Sequence, residues 1–489
     1  MIGRPTRARI GAVSVVLLAW SGLLAGTADR ALATTYTVGT TSDNSGSACS
    51  GPPCSLRQLI NTVEAASDPP DTIKVPAGRY VLNAGLGALV INHNVTIVGA
   101  GANKTTIAMP VPTNRISSGD RVFDIEAVSG GLTPVVTIEG VTITGGTANL
   151  SNGSFGGDVL STGYLNLIDD WITNGFACSG AGVTNYGGTM EIERTLISGN
   201  QAGCGGGDSG GVQNFGAPAS GATPDLPGHL LIENSTITDN NARLVGGVFS
   251  WNDPANTVRI VSSTIAGNVV KAEMGQGPRG PGAGIAVGDG SLDIQGSIVS
   301  DNVEVTAGVT THTNCDGSAG IHSLGYNLES GTDCGFGSTG DLQGKKPDLG
   351  ALRDNGGPTK TLALATNSPA INHIPAGHGR CPSTDQRGVH RPQGKKCDIG
   401  AYERARAPKT RITKLTVGSS SVLVRFSASG AVTSFQCELK AVTKHASFRS
   451  CHSPKAYHGL KAARYTFRVR AIGPGGEDKT PATKSFEIT

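Results

Sequence analysis

Two glutamates, Glu193 and Glu233, fill the same place in a phrase of eleven residues that the chain repeats. If such phrases stack as neighbouring strands, the two carboxylates lie about 5 Å apart, near the separation used when one carboxylate attacks a glycosidic carbon and the other protonates the leaving group. Arg194 follows Glu193 and would clamp a sugar carboxylate, with Asp169 and Asn234 at the equivalent position on either side. The competing reading is a solvated surface ladder in which Arg194 offsets its acidic neighbours. An insertion over 201–229 separates the two glutamates and threatens their register.

The ten cysteines form five couples close in sequence: Cys49/Cys54, Cys178/Cys204, Cys315/Cys334, Cys381/Cys397 and Cys437/Cys451. An even count in an exported chain favours disulfides. The absence of CxxC pairs and of neighbouring histidines argues against zinc. Stray loop carboxylates have no EF-hand or RTX spacing for calcium, so neither a metal nor a cofactor is expected. Asn94, Asn103 and Asn234 begin Asn-X-Ser/Thr triplets, of which Asn234 is expected to serve a turn.

The elements that would position these groups are legible in the repeat. VTIEGVTITGG (136–146), LNLIDDWITNG (165–175), MEIERTLISGN (190–200), LLIENSTITDN (230–240), VRIVSSTIAGN (258–268) and LDIQGSIVSDN (292–302) share one template. Its third and eighth positions are aliphatic throughout, and its second is mostly polar. That alternation has the period of half-buried strands, not of a helix. The eleventh position is mostly Asn or Gly, read here as a left-handed turn. A further strand opening with small residues follows each later phrase, as in GAGVTNYGG (180–188). Three short strands per turn predict a right-handed parallel β-helix, whose coils bury their aliphatics only by stacking on each other. High glycine, at 71 residues, and scarce aromatics, at 4%, suit tight turns between short strands.

Both ends of a stack need caps. CSLRQLINTVEAA (54–66) has helical spacing, and Cys54-Ser55-Leu56-Arg57 with Ile60 resembles the bacterial CSLREA domain, although Gln58 and Leu59 depart from that name. DNGGPTKTLALATNSPAIN (354–372) and CPSTDQRGVHRPQGKKCDIGAYE (381–403) resemble the choice-of-anchor Q domain. The resemblance implies a secreted or surface β-helix and defines no reaction. Leu460, Tyr465 and the alternation Phe467, Val469, Ala471 resemble the tyrosine-corner region of immunoglobulin or fibronectin-III modules. Gly377-His378-Gly379 is superficially similar to polygalacturonases, but the ordered aspartate motifs of that family are missing upstream. Gly-Asp-Ser-Gly-Gly (207–211) resembles a serine-protease nucleophile motif, yet only His93 precedes Ser209, and the repeat explains the glycines as a coil turn.

The expected divisions are an export signal over 1–33, an N-terminal cap with first coils over 34–135 and repeats over 136–340. The C-terminal end of the solenoid follows over 341–403, then a linker over 404–409 and a small β-sandwich over 410–489. Arg4, Arg7 and Arg9 before an apolar run to Ala25, then Ala31-Leu32-Ala33, carry the first of these. Residues 407–489 hold fourteen Lys plus Arg against four Asp plus Glu, whereas residues 34–406 hold twenty-two against thirty-two. A basic terminal module would adsorb to an anionic polymer, or simply carry solvated lysines. The expectation is a monomeric secreted or cell-surface protein without a membrane span after export. Its role is non-catalytic, presenting a surface for adhesion or carbohydrate binding to a polysaccharide or cell-envelope polymer, with no specific nucleic-acid recognition. The alternative is a polysaccharide lyase or glycoside hydrolase acting in a groove on the helix.

Overall fold

A computed structural model describes residues 33–45, 48–63, 70–127, 133–149, 154–203, 209–217, 226–272, 282–316, 320–377, 381–430, 432–441, 446–473 and 475–489. The export signal falls outside this set, apart from Ala33. So do His378 and Cys204.

The β-branched phrases stack as anticipated. Sheet A holds ten parallel strands among the described residues, from Thr35–Thr37 through Tyr164–Ile168, Thr189–Glu193, His229–Glu233 and Thr257–Val261 to Ile321–Ser323. Sheet B holds nine, including Trp171–Thr173, Leu196–Ser198, Thr236–Thr238 and Thr264–Ala266. Sheet C holds seven, including Val183–Tyr186, Val212–Phe215 and Val248–Trp251. The chain winds through them as a right-handed parallel β-helix, the hand imposed on parallel crossovers by strand twist.

The register forms columns. Ile138, Leu167, Ile192, Ile232, Ile260 and Ile294 lie one over another in sheet A, each fully buried. Ile143, Ile172, Ile197, Ile237, Ile265 and Val299 do the same in sheet B. The insertion at 201–229 leaves this register intact, because backbone ladders on both sides of it fix the strands.

Two features differ from the sequence reading. The middle coils carry a fourth strand, sheet D, built from short segments such as Phe176–Ala177, Gln201–Ala202 and Asn241–Ala242. Two residues cannot display an alternation, so no periodicity announced them. The left-handed turn sits at the tenth template position, at Asn174, Gly199, Asp239, Gly267 and Asp301, not at the eleventh. The eleventh-position asparagines are instead buried and linked into a ladder. Asn200 Nδ2 donates to Asn240 Oδ1 (2.9 Å), Asn240 Nδ2 to Asn268 Oδ1 (3.0 Å) and Asn268 Nδ2 to Asn302 Oδ1 (2.9 Å). A hydroxyl ladder runs beside it, in which the amides of Thr195, Ser235 and Ser263 donate to the hydroxyls of Ser235, Ser263 and Ser297.

At the N-terminal end, the helix Leu56–Thr62 closes the stack. Ser55 and Gln58 form its capping box. Arg57 is buried, paired with Asp43 at 2.9 Å and bonded to the carbonyls of Gly87 and Ala88 at 2.7 Å. At the other end, Glu329 continues the column of Val299 and is fully buried. Its Oε1 accepts from the Cys334 amide (3.2 Å). Burial, then hydrogen bonding to Asp333, pushes this carboxyl well above the usual carboxylate range.

The folded chain therefore holds a proton that the unfolded chain releases near pH 4.5, so stability falls as pH rises from there through the raised folded value. Glu329→Gln is expected to flatten that decline, measured by chemical unfolding in mildly acidic and mildly alkaline buffer. Equal declines in both proteins would dismiss the assignment.

Beyond Glu329, Leu342 pairs in parallel with Leu328 at the end of sheet B, and the described chain then turns back. Antiparallel pairs, Leu349–Arg353 with Thr361–Leu364 and Ile374–Pro375 with Lys396–Cys397, run back along the outer side of sheet B. There Thr236 Oγ1 donates to Gln386 Oε1 (2.5 Å), the Ala401 amide to Thr264 Oγ1 (3.0 Å) and the Gly400 amide to the Gly296 carbonyl (2.8 Å). Ile298 packs with Leu364, Ile374 and Ile399.

The motif residues of this segment pair with one another while buried: Arg387 with Asp385 at 2.7 Å and Arg391 with Glu403 at 3.2 Å. The C-terminal unit is a sandwich of one sheet built from Lys409–Val417, Val422–Ser429 and Lys455–Tyr457 and another built around Ser434–Ala441 and Ala463–Gly473. Its Tyr465 hydroxyl donates to the Lys461 carbonyl (3.1 Å). Disulfides join Cys49–Cys54, Cys315–Cys334, Cys381–Cys397 and Cys437–Cys451, and Cys178 is also disulfide-bonded. The last pair lies within one sheet, unlike the inter-sheet bridge of antibody domains.

Candidate functional site

The corner between sheets A and B turns on a left-handed residue in six successive coils. The series reads Gly140, Asp169, Arg194, Asn234, Ser262 and Gly296, with φ between 45° and 68°. Glycine, Asn and Asp enter this region cheaply, whereas Arg194 does so at a cost. Ion pairs compensate it. Arg194 Nε meets Asp169 Oδ1 at 2.8 Å on one rung, and Nη1 contacts Glu193 Oε1 on its own. Burial opposes the guanidinium charge, but the Asp169 hydrogen bonds and the nearby Glu193 outweigh it and raise its pKa.

Glu193 and Glu233 are register partners on adjacent rungs, side by side on the outer face of sheet A. Glu233 has no described ion pair. Burial, then the charge of Glu193, raises its carboxyl above the ordinary value, against the pull of Arg259, Arg391 and Arg194. The pair is thus asymmetric, one carboxylate held by Arg194 and the other biased toward its protonated form. Lower on the same face, Tyr164 donates to Glu191 (2.5 Å), and this bond, with burial, pushes the phenol up to about 12. Asn166 Nδ2 donates to Thr137 Oγ1 (3.2 Å).

The fold-back segment walls the corner. Thr359 Oγ1 donates to the Arg194 carbonyl (3.3 Å), Lys360 lies 4.7 Å from the Trp171 ring and Arg391 Nη2 reaches Asn234 Oδ1 (3.4 Å). Sequence reasoning found Glu193, Glu233, Arg194 and Asp169 by alignment, but none of these three wall residues. Nothing in their own segment points toward coils more than 150 positions earlier.

The other motifs do not assemble chemistry. Asp170 is fully buried beneath Asp169 and accepts from the Val141 (2.8 Å) and Ile168 (3.1 Å) amides, so this Asp pair faces two environments. Ser209 is fully buried and donates to the Val212 carbonyl (2.9 Å) within its own turn. Asn234 is 1% exposed, closed to glycan transfer. Among the described residues, no three His, Cys, Asp or Glu side chains converge on a metal-sized site, and no helix is long and apolar enough to cross a membrane.

Fold and site define an all-β protein of two parts, a parallel β-helix with a fold-back cover and a β-sandwich. A structural match is the crystal structure of pectate lyase Pel9A, at 14% identity and a TM-score of 0.39, covering 77% of this chain and 98% of that one. No family model matches the chain, and no curated protein does.

Proposed function

We propose that the protein is a secreted or cell-envelope β-helix protein that holds a polysaccharide on the outer face of sheet A without cleaving it. The observation that carries this reading is that Glu193 and Glu233 project from adjacent rungs of the same face. Outward carboxylates at strand spacing can accept from sugar hydroxyls, whereas cleavage needs one of the pair free to attack the anomeric carbon. Glu193 is further committed to Arg194. A rigid row of carboxylate, amide, phenol and guanidinium groups at strand spacing suits hydrogen bonding to successive sugars.

Disulfides support an oxidising compartment outside the cytoplasm. The reading takes residues 54–66 as a CSLREA-type cap, 354–403 as a choice-of-anchor Q-type element and 410–489 as an immunoglobulin or fibronectin-III-like module. One observation favours the alternative of a lyase or hydrolase, namely the raised carboxyl of Glu233 beside an ion-paired Glu193.

The test is incubation with neutral and acidic polysaccharides, scoring bound glycan, new reducing ends and unsaturated products. Binding without turnover is expected, weakened about tenfold in the double variant Glu193→Gln/Glu233→Gln. Turnover that vanishes in either single variant would establish the enzyme instead.

A further inference from the structure

The sandwich owns only four acidic residues, and each already stands opposite a cation. Arg468 pairs with Glu438 at 2.9 Å, Arg470 with Glu477 at 2.6 Å and Lys409 with Asp478 at 3.8 Å, while Arg464 lies across the strand pair from Glu487. Three of these cations, Arg464, Arg468 and Arg470, belong to the larger sheet. Lys409 stands at the first residue of the three-stranded sheet.

The middle of the three-stranded sheet is different. On its outer face Lys414 is the register partner of Arg425, and Arg411 is the partner of Ser427. All three cations are exposed, and among the described residues no carboxylate forms an ion pair with any of them. Like charges directly opposite on neighbouring strands destabilise a sheet. Exposed Leu423 and Thr416, partners one step along, and Ala456 beyond them complete the patch.

We infer that this face is a docking surface for a linear polysaccharide bearing carboxylates. Cross-strand partners stand about 5 Å apart, comparable with the length of one sugar residue, so Lys414 and Arg425 meet carboxylates on successive sugars. Arg411, whose Nε donates to Ser427 Oγ (3.0 Å), takes a third through its two Nη groups. Leu423 and Ala456 offer an apolar strip for the C–H faces of the rings. The polyanion is directed here by charge, since residues 34–406 carry an acidic excess and the sandwich a basic one. This surface is separate from the carboxylate-rich face of sheet A, and the two readings stand or fall independently.

The experiment uses the full-length protein with polygalacturonate as probe, neutral dextran as a control and duplex DNA as a competitor, at low and high salt. Lys414→Ser/Arg425→Ser is expected to weaken polygalacturonate binding about tenfold and to reduce its salt dependence. Lys414→Arg/Arg425→Lys is expected to retain it, as is Lys440→Ser/Arg464→Ser on the other sheet. Glu193→Gln/Glu233→Gln is expected to leave it unchanged, separating this surface from sheet A. Equal losses in both serine double variants would reduce the effect to net charge and overturn the assignment. So would unchanged binding in Lys414→Ser/Arg425→Ser, equal retention of dextran, or tighter binding of DNA than of polygalacturonate.

Discussion

Asn240→Ala is expected to cost about 4 kcal/mol of folding stability, although the side chain touches no solvent and no candidate ligand. Asn240 is fully buried in the middle of the amide ladder. Its Oδ1 accepts from the Asn200 amide (3.1 Å) and from Asn200 Nδ2 (2.9 Å), while its own Nδ2 donates to the Ile197 carbonyl (3.0 Å) and to Asn268 Oδ1 (3.0 Å). Truncation strands these groups away from water, and each buried unmet group costs roughly 1–3 kcal/mol, partly relieved where a water enters.

The neighbouring Asn241→Ala makes a fair comparison, since Asn241 is half-buried and holds its place through backbone pairing. It should cost no more than about 0.5 kcal/mol. Guanidinium titration of both variants checks the contrast. A loss below about 1 kcal/mol for Asn240→Ala would mean that the ladder contributes little.

Arg391→Met is expected to free the fold-back segment while leaving the coils standing. Arg391 is buried in the cover. Its Nη1 meets Glu403 Oε2 (3.2 Å) and the Asp398 carbonyl (3.0 Å), and its Nη2 meets the Gly400 carbonyl (2.6 Å) and Asn234 Oδ1 (3.4 Å). Removing one partner of a buried pair costs about 3–5 kcal/mol, because Glu403 loses its cation in a dry site. The segment has few strands of its own, and its attachment to the helix runs through contacts such as Gln386–Thr236. The loss should therefore appear first as local opening.

Limited proteolysis, analysed after reduction, is expected to cut within 354–403 in the variant and to spare the coils. The Trp171 environment should change as Lys360 leaves its ring. A digestion pattern identical to that of the parent protein would show that the cover is held by other contacts.

The residues of the C-terminal motif illustrate how a strong sequence signal can be structural. Asp385 accepts from the Arg387 side chain, from the Arg387 and Val389 amides and from the Glu403 amide. Glu403 accepts from the Gln393 and Asp398 amides as well as from Arg391. A cluster of Asp, Glu and Arg at such density looks like chemistry in the sequence. Here its donors and acceptors are consumed by one another.

The chain's own letters determined the coil. Aliphatic third and eighth positions force alternate side chains inward, and a slip of one residue would turn every one of them to solvent, so pattern alone sets which residues stack. That logic extends to Glu193 over Glu233, whose register survives a long insertion because the strands on either side are specified independently. Tertiary structure decided the rest. The two-residue strands of sheet D are too short to carry a period, and the eleventh-position asparagines reveal their ladder only when coils lie on each other. The cover over sheet B depends on contacts such as Thr236 with Gln386, 150 residues apart, which no local preference encodes. Which polar residues face a ligand and which face one another follows from that long-range packing, since burial depends on what arrives from elsewhere in the chain.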